Sequence, residues 1–126
     1  MSNITYLASP YTHSSKVVMR ERYEQVMKFT YFSTKRGIVY FSPILYYHPL
    51  AVKYKMDVDF NSFIEFNSVF LENSCSIHIL TLPGWKQSEG IMWEIKKAKL
   101  LNLDIRYIDI LEDKGDNQHV RYSIRP

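Results

Sequence analysis

Short apolar segments alternate with longer segments of helical periodicity, and this alternation restricts the fold more than any other feature of the chain. Predicted strands cover residues 4–8, 38–41, 75–82 and 105–110. Predicted helices cover residues 14–35, 59–73 and 89–101. Strands that alternate with helices are joined by right-handed crossovers into a parallel sheet. The sequence therefore predicts an α/β fold, a small Rossmann-like (flavodoxin-like) open parallel sheet of four to five strands with helices on both faces.

Two segments of the chain do not follow this alternation. Residues 44–56 read as an irregular loop with room for a short helix, because Pro49 interrupts an otherwise aromatic stretch. Residues 111–126 are polar until 120–124, which predicts either an edge strand or an arm that reaches a neighbouring subunit. At 126 residues the chain has the length of one domain, so we predict a single domain over 1–126.

Helical periodicity and local composition also predict which side chains are buried. In the first helix the candidate inward positions are Val18, Tyr23, Val26, Met27 and residues 29–32. Cys75 begins an apolar run, and we expect it to be a small buried hydrophobic residue. Since it is the only cysteine, neither an intrachain disulfide nor a thiolate zinc site is expected.

Net charge and motif content argue against several classes of protein. The charge is +3, from 16 basic and 13 acidic residues, and the basic residues are scattered, so nucleic-acid binding is not expected. The N-terminal segment lacks the pattern of a signal peptide, and no apolar run approaches the ~18 residues of a membrane span. These features favour a cytoplasmic protein without a membrane partner. The histidines are scattered and no glycine-rich nucleotide loop is present, so neither a metal nor a cofactor is expected.

Three of the four predicted strands end in loops that carry polar or aromatic groups. The loops are Ser9-Pro10-Tyr11-Thr12-His13, Ser42-Pro43 and the segment 84–90. In open α/β sheets the carboxyl ends of parallel strands meet at one edge, and ligands bind there at a topological switch point. The sequence therefore predicts one pocket shared by the three loops.

The segment from Ser88 to Glu94 has two interpretations. Ser88 precedes a predicted helix and can simply cap it, but a helix N-terminus also offers free N–H groups to an anion. Gly90 would let a ligand approach the backbone closely. Glu94 is either a solvated carboxylate paired with Lys96 or Lys97, or a pocket carboxylate that acts as a nucleophile or stabilises charge.

Four further residues have the same two interpretations. Tyr6 either packs in the core or orients a nearby carboxylate through its hydroxyl. His13 and His48 lie in predicted loops, where each is either exposed or packed structurally, or part of a site. Arg22 is either a solvated helix side chain or a phosphate ligand. The sequence does not decide between these roles.

Three segments, in matching order, resemble the nucleoside 2-deoxyribosyltransferase-like superfamily. They are YLASPYTH at 6–13, GIVYFSPI at 37–44 and LPGWKQSEGIMWEIKKA at 82–98. The chain resembles in particular a small branch, frequent in bacteria and their viruses, that carries YLASPY and LPGW followed by S-x-G. The resemblance covers most of residues 4–110 and implies a nucleotide or nucleoside as the small-molecule partner.

The resemblance also implies roles for individual residues. Transferases of that superfamily carry D-x-G-x-x-x-E after the third strand, and nucleotide N-glycosidases carry S-x-G-x-x-x-E, which Ser88, Gly90 and Glu94 match. Glu94 would be the nucleophile at the anomeric carbon, and Tyr6 the tyrosine beside it. Serine in place of aspartate favours a nucleoside 5′-monophosphate, because a carboxylate repels phosphate. The predicted substrate-binding residues are Ser9, Pro10, Tyr11, His13, Arg22, Ser42, Pro43, His48, Asn67, Gly84, Trp85, Ser88 and Gly90.

The chain departs from the family pattern on the side of the leaving base. Family members place an acidic aspartate on the helix before the third strand, where this chain has Asn67, which cannot donate a proton as an acid. Either Glu65 or Asp59 replaces it, or the chain binds without cleaving. The sequence thus predicts an N-glycosidase or deoxyribosyltransferase acting on a nucleoside 5′-monophosphate or related nucleotide. The alternatives are a non-catalytic protein that holds a nucleotide or nucleotide-derived signal, and an interaction protein with tyrosine-rich loops.

Family resemblance also implies a homodimer or higher homo-oligomer whose sites are completed by a neighbour. The tail from Gln118 to Tyr122 is a candidate for that contact.

Overall fold

Strands and helices alternate along the chain in the computed structural model, which describes residues 3–57, 60–116 and 119–126. The strands are β1 (Thr5–Ala8), β2 (Tyr40–Phe41), β3 (Ser76–Leu80), β4 (Asp104–Asp113) and β5 (Val120–Arg125). The helices are α1 (Lys16–Thr34), α2 (Pro43–Tyr54), α3 (Phe60–Glu72) and α4 (Glu89–Leu100), with a short 3-10 turn at Trp85–Gln87. Asp59 and Gln118 lie outside the described residues, so the roles suggested for them are not addressed by the structure.

The strands form one sheet in the order β2-β1-β3-β4-β5. β1 pairs in parallel with β2 and with β3, and β3 pairs in parallel with β4, whereas β5 is antiparallel to β4. The prediction of an open, Rossmann-like sheet is confirmed. Because the chain leaves β1 in one direction along the sheet and later returns to its other side, the switch point lies between β1 and β3.

Hydrophobic clusters cover both faces of the sheet. Leu7 of β1 packs in one cluster with Val26 and Phe29 of α1. Tyr6 and Ala8 of the same strand point to the opposite face, since side chains alternate along a strand, and pack in a second cluster. That second cluster also contains Leu71 of α3 and Ile91 and Ala98 of α4. Helices α1 and α4 therefore lie on opposite faces and begin at the same edge of the sheet.

Two of the inward positions predicted for α1 are wrong. Met27 and Tyr31 are exposed, at 41% and 49% of their surface, and Met19 is buried instead. The buried face of the helix contains Met19, Val26 and Phe29, and the last two follow Met19 by about two and about three helical turns. Met27 follows Val26 by one position and is rotated away from the sheet, so hydrophobicity alone misplaced it.

The prediction that 44–56 is mainly an irregular loop is wrong, because the helix that the sequence left room for, α2, occupies most of that segment. Ser42 caps the helix by accepting a hydrogen bond from the backbone N–H of Leu45 at 3.3 Å. Pro43 takes the first helical position, where its missing N–H costs nothing. Pro49 lies inside the helix on its exposed side, and the favourable start and the packing of Ile44 and Tyr47 outweigh its disruption.

Cys75 is exposed, contrary to the prediction that it is buried. It lies just before β3, where its neighbour Ser76 is buried instead and accepts or donates a hydrogen bond with Thr5 at 2.8 Å. At the other end of the chain, β5 is an edge strand of the sheet, one of the two roles that the sequence left open. Among the described residues, no helix is both long enough and apolar enough to cross a membrane.

Candidate functional site

A cleft of about 400 Å³ opens at the switch point between β1 and β3. It lies beyond the carboxyl ends of these strands, so the predicted position of a shared pocket matches the structure. Its lining consists of Leu7, Ala8, Ser9, Tyr11, Thr12, Pro43, Ile44, Tyr47, Phe63, Asn67, Gln87, Ser88, Glu89, Gly90 and Glu94. The segments that follow three strands thus form the walls, namely the loop after β1, the start of α2 and the start of α4, and α3 closes one side.

Glu94 is the buried acid of the cleft. Only 6% of its surface is exposed, although it lies on a helix that carries several lysines. The alternative of a solvated carboxylate paired with Lys96 or Lys97 is therefore wrong, and Lys97 instead forms an ion pair with Glu72 at 2.7 Å. Burial raises the pKa of Glu94 from 4.5 to about 8, and a hydrogen bond with Tyr6 opposes that rise.

Tyr6 lies beside this carboxyl and is fully buried. Burial, followed by the nearby charge and hydrogen bond of Glu94, raises the pKa of Tyr6 well above its usual value. Within the described chain the Tyr6 hydroxyl has no partner that meets standard hydrogen-bond geometry. The Glu94 contact that shifts both pKa values is therefore long or bent. The packing interpretation of Tyr6 is confirmed, because its ring lies in the core, and the action of its hydroxyl on the acid stays a prediction.

Ser88 and Gly90 begin α4 at the mouth of the cleft. The Ser88 Oγ accepts a hydrogen bond from the N–H of Ile91 at 3.3 Å, so its capping role is confirmed. The first intrahelical bond runs from the N–H of Met92 to the carbonyl of Ser88. The N–H groups of Glu89 and Gly90 therefore lie ahead of the helical hydrogen-bond ladder. Capping uses the Ser88 oxygen only as an acceptor, so the hydroxyl proton remains available to a ligand.

Two polar atoms of the cleft lining are buried without a partner among the described residues. They are the Ser9 Oγ and the Asn67 Oδ1. Ser9 and Asn67 line the cleft, and Ser9 is only 7% exposed. Buried polar atoms are nearly always hydrogen-bonded in native proteins, because an unmade bond is costly. Water or a polar ligand in the cleft is therefore expected to complete these bonds.

Arg22 does not line the cleft but joins two of its walls. Its Nη1 donates to the carbonyls of Tyr11 at 3.3 Å and Thr12 at 3.1 Å, and its Nη2 donates to the carbonyl of Pro83 at 3.2 Å. The solvated alternative for Arg22 is therefore wrong. The bonds connect the loop after β1 with the loop after β3, from which the residues of the cleft mouth extend.

A second hydrogen-bonded pair supports the wall formed by Tyr11. Its hydroxyl and the Nδ1 of His48 lie 2.7 Å apart, and the His48 ring stacks on Tyr23 with centroids 4.1 Å apart. Burial lowers the pKa of His48, although Glu24 opposes this effect. The lowered pKa favours the neutral ring, which holds Tyr11 from behind the cleft through the hydrogen bond.

The structure thus separates the predicted site residues into two groups. One group lines the cleft, and its members are Ser9, Tyr11, Pro43, Asn67, Ser88, Gly90 and Glu94. The other group lies behind or beside it, and its members are Tyr6, Pro10, His13, Arg22, Ser42, His48, Gly84 and Trp85. In the second group His13 is exposed and accepts from the N–H of Ser15 at 2.9 Å. Trp85 packs on Tyr107 with ring centroids 5.6 Å apart.

Sequence reasoning missed several lining residues, of which Tyr47 and Phe63 matter most. Their ring centroids are 3.9 Å apart, and both rings face the cleft. Tyr47 was not among the predicted site residues, because its segment was interpreted mainly as an irregular loop. Phe63 had a usable signal, since it precedes Asn67 by four residues and shares its helix face.

The charge of the lining is acidic. Glu89 and Glu94 contribute carboxyl groups, whereas no lysine or arginine belongs to the lining in the part of the chain that the structure describes. An anionic ligand would therefore rely on hydroxyl and backbone N–H donors. The same described residues contain no group of three or more histidine, cysteine or acidic side chains placed to hold a metal ion.

Fold and site together define the class, an α/β protein with an open, mostly parallel sheet and a polar cleft built around a buried acid. The chain belongs to the family described as Domain of unknown function (DUF1937), whose model matches residues 3–106. The matched region contains the whole lining of the cleft. A comparison with curated proteins found no match.

Proposed function

We propose that the chain is an enzyme that cleaves the N-glycosidic bond of a nucleoside 5′-monophosphate or related nucleotide, with Glu94 as its nucleophile. The observation that carries the proposal is the buried Glu94 carboxyl in a cleft at the switch point, with the Tyr6 hydroxyl beside it. The resemblance to nucleoside 2-deoxyribosyltransferases supports the same assignment.

In the proposed reaction the Glu94 carboxylate attacks the anomeric carbon as the bond to the base breaks. Positive charge develops on the sugar in such transition states, and a carboxylate on one face stabilises it. The products are a glycosyl ester of Glu94 and the free base, which takes up a proton from solvent water as the bond breaks. Attack by water then completes hydrolysis, whereas attack by a second base completes transfer.

Ionisation of Glu94 is the limiting condition for this chemistry. Its pKa of about 8 means that the empty site holds it mainly protonated at neutral pH. Tyr6 favours the ionised form through its hydrogen bond, since that contact lowers the pKa. A positive charge developing on the bound sugar would favour ionisation further.

The phosphate group would lie at the start of α4. Ser88 offers its hydroxyl, and the N–H groups of Glu89 and Gly90 precede the helical ladder. The exposed carboxylate of Glu89 opposes such an anion, so free nucleosides belong in the same assay as nucleotides.

A second candidate function is nucleotide binding without cleavage, and Asn67 is the observation that favours it. Asn67 lines the cleft, the enzymes that the chain resembles carry an acid at the matching position, and an amide is not a general acid. Glu65 is exposed on α3 and does not belong to the lining among the described residues. A protein of this kind would hold its ligand intact.

A chromatographic assay separates the two functions. The protein is incubated with ribo- and deoxyribonucleoside 5′-monophosphates and the free nucleosides, and released base is quantified. Base release by the parent but not by Glu94→Gln supports the enzyme. Calorimetric binding without base release would reject catalysis and leave the binding protein. Glu89→Gln serves as a matched control, because it removes an acid of the same helix from the cleft mouth.

A further inference from the structure

Asn67 presents an unsatisfied amide to the cleft. It lies on α3, and its Oδ1 is buried without a hydrogen-bond partner among the described residues. An unmade bond at such an oxygen is costly, and because Asn67 lines the cleft, a donor held there can satisfy it once the amide turns toward the cleft. The amide NH2 of the same group is a donor, so Asn67 can offer an acceptor and a donor side by side.

The wall next to Asn67 is aromatic. Phe63 lies one helical turn before it, and the ring of Tyr47 packs on Phe63 with an interplanar angle of 40° and centroids 3.9 Å apart. The Tyr47 ring also packs against Phe66, with ring centroids 4.6 Å apart and an interplanar angle of 66°. These contacts fix a rigid apolar surface that suits a flat ring. This side of the cleft therefore combines a ring-binding surface with a paired donor and acceptor.

We propose that Asn67 is a specificity residue that reads the edge of a nucleobase lying against Tyr47 and Phe63. Its Oδ1 accepts from an exocyclic amino group or ring N–H, and its NH2 group donates to the adjacent ring nitrogen or carbonyl. This inference rests on the proposed function. It assigns Asn67 to base recognition in place of proton donation, and it predicts that bases without an N–H donor on this edge bind weakly.

Paired ligands that differ only in that donor test the inference. Adenosine 5′-monophosphate is compared with purine riboside 5′-monophosphate, which lacks the amino group. Uridine 5′-monophosphate is compared with its N3-methyl derivative. Binding is measured by calorimetry in a Glu94→Gln background, so that turnover does not interfere.

The donor-bearing ligand of at least one pair is expected to bind about 10- to 100-fold more tightly, the range of one bidentate amide–base contact. Asn67→Leu should reduce that ratio to about twofold or less, because leucine has a similar size but neither donor nor acceptor. Asn67→Asp keeps an acceptor and should keep most of the preference. Asn61→Leu, at an exposed asparagine of the same helix, should leave the ratio unchanged.

The outcomes distinguish this inference from the function on which it rests. A purely structural role for Asn67 would weaken both members of a pair equally, and an unchanged ratio in Asn67→Leu would overturn the inference while leaving the proposed function intact. If no nucleotide or nucleoside bound the parent protein at all, the proposed function itself would be rejected. Circular dichroism of each variant shows whether α3 remains folded.

Discussion

The guanidinium of Arg22 occupies the space that a side chain at position 84 would need. A Cβ built on Gly84 would lie 2.7 Å from the Nη2 of Arg22, and Gly84 also has a positive φ of 89°. The same Nη2 donates to the carbonyl of Pro83 at 3.2 Å. Arg22 and Gly84 therefore form a latch, by which we mean the hydrogen-bonded contact between α1 and the loop after β3. Only glycine at position 84 leaves room for the Arg22 guanidinium in this contact.

We expect Gly84→Ala to open this latch. The left-handed backbone conformation costs an alanine about 1–2 kcal/mol of conformational free energy. The alanine Cβ would in addition displace Arg22. Gly37→Ala is the matched control, because Gly37 also has a positive φ of 75° but nothing within 4 Å of its Cβ position. Urea denaturation should show a larger loss of stability for Gly84→Ala than for Gly37→Ala. Equal losses would mean that Arg22 gives way without cost.

Arg22→Lys should weaken the latch in the native state without unfolding the protein. Lysine carries the charge but cannot span the carbonyls of both loops, which the planar fork of arginine does. Fluorescence of Trp85, recorded in a Trp93→Phe background, reports on the loop after β3, because Trp85 directly follows Gly84. A greater exposure of Trp85 to acrylamide is expected for Arg22→Lys. Unchanged quenching would show that other contacts hold the loop.

Replacement of Glu94 should stabilise the protein in a pH-dependent manner. Its pKa is about 8 in the folded protein and near 4.5 when solvated, so between these values the unfolded chain releases a proton that the folded chain keeps. The loss of folding stability caused by burying Glu94 therefore grows with rising pH, by on the order of 1.4 kcal/mol per pH unit between the two pKa values. It reaches its full size above pH 8. Glu94→Gln removes it, so its gain in thermal stability should be larger at pH 8 than at pH 5. Glu89→Gln, at an exposed acid, should show no such trend.

If the proposed function holds, the pH dependence of base release should report the ionisation of Glu94. A nucleophile must be ionised, so kcat/KM should rise with pH and level off above about 8. Tyr6→Phe removes the hydrogen bond that lowers the pKa of Glu94, so the midpoint of the rise should move upward. Tyr6 itself stays protonated throughout, since its own pKa lies well above its usual value. Activity that falls with rising pH would instead identify Glu94 as a proton donor.

Cys75 should react with thiol reagents in the folded protein. Its side chain is exposed and its thiol contacts the carbonyl of Ile4 at 3.3 Å, an interaction that leaves the sulfur accessible. Labelling by iodoacetamide under native conditions, followed by mass spectrometry, is expected to be complete without denaturant. Cys75→Ser provides the blank. Protection until unfolding would contradict the exposure.

Local sequence patterns were sufficient for four of the five strands, three of the helices and the place of the cleft. The strands are short apolar runs that end in turn residues, and each such run could be read without reference to distant residues. The S-x-G-x-x-x-E spacing placed Ser88 and Glu94 on one helix, since capping and helical periodicity act within a few residues. The extent of α2 was underestimated because Pro49 is a strong local signal, which the cap at Ser42 and the packing of Tyr47 outweigh.

Only the tertiary structure decided what these residues experience. Lysines near Glu94 suggested a solvated ion pair. Packing of α4 on the sheet instead buries the Glu94 carboxyl, and Lys97 forms an ion pair with Glu72. Arg22 reaches a carbonyl 61 residues away, a contact that no spacing in the sequence indicates. Periodicity and capping depend on neighbours along the chain, whereas desolvation, pKa and carbonyl contacts depend on which distant segments fold against a residue.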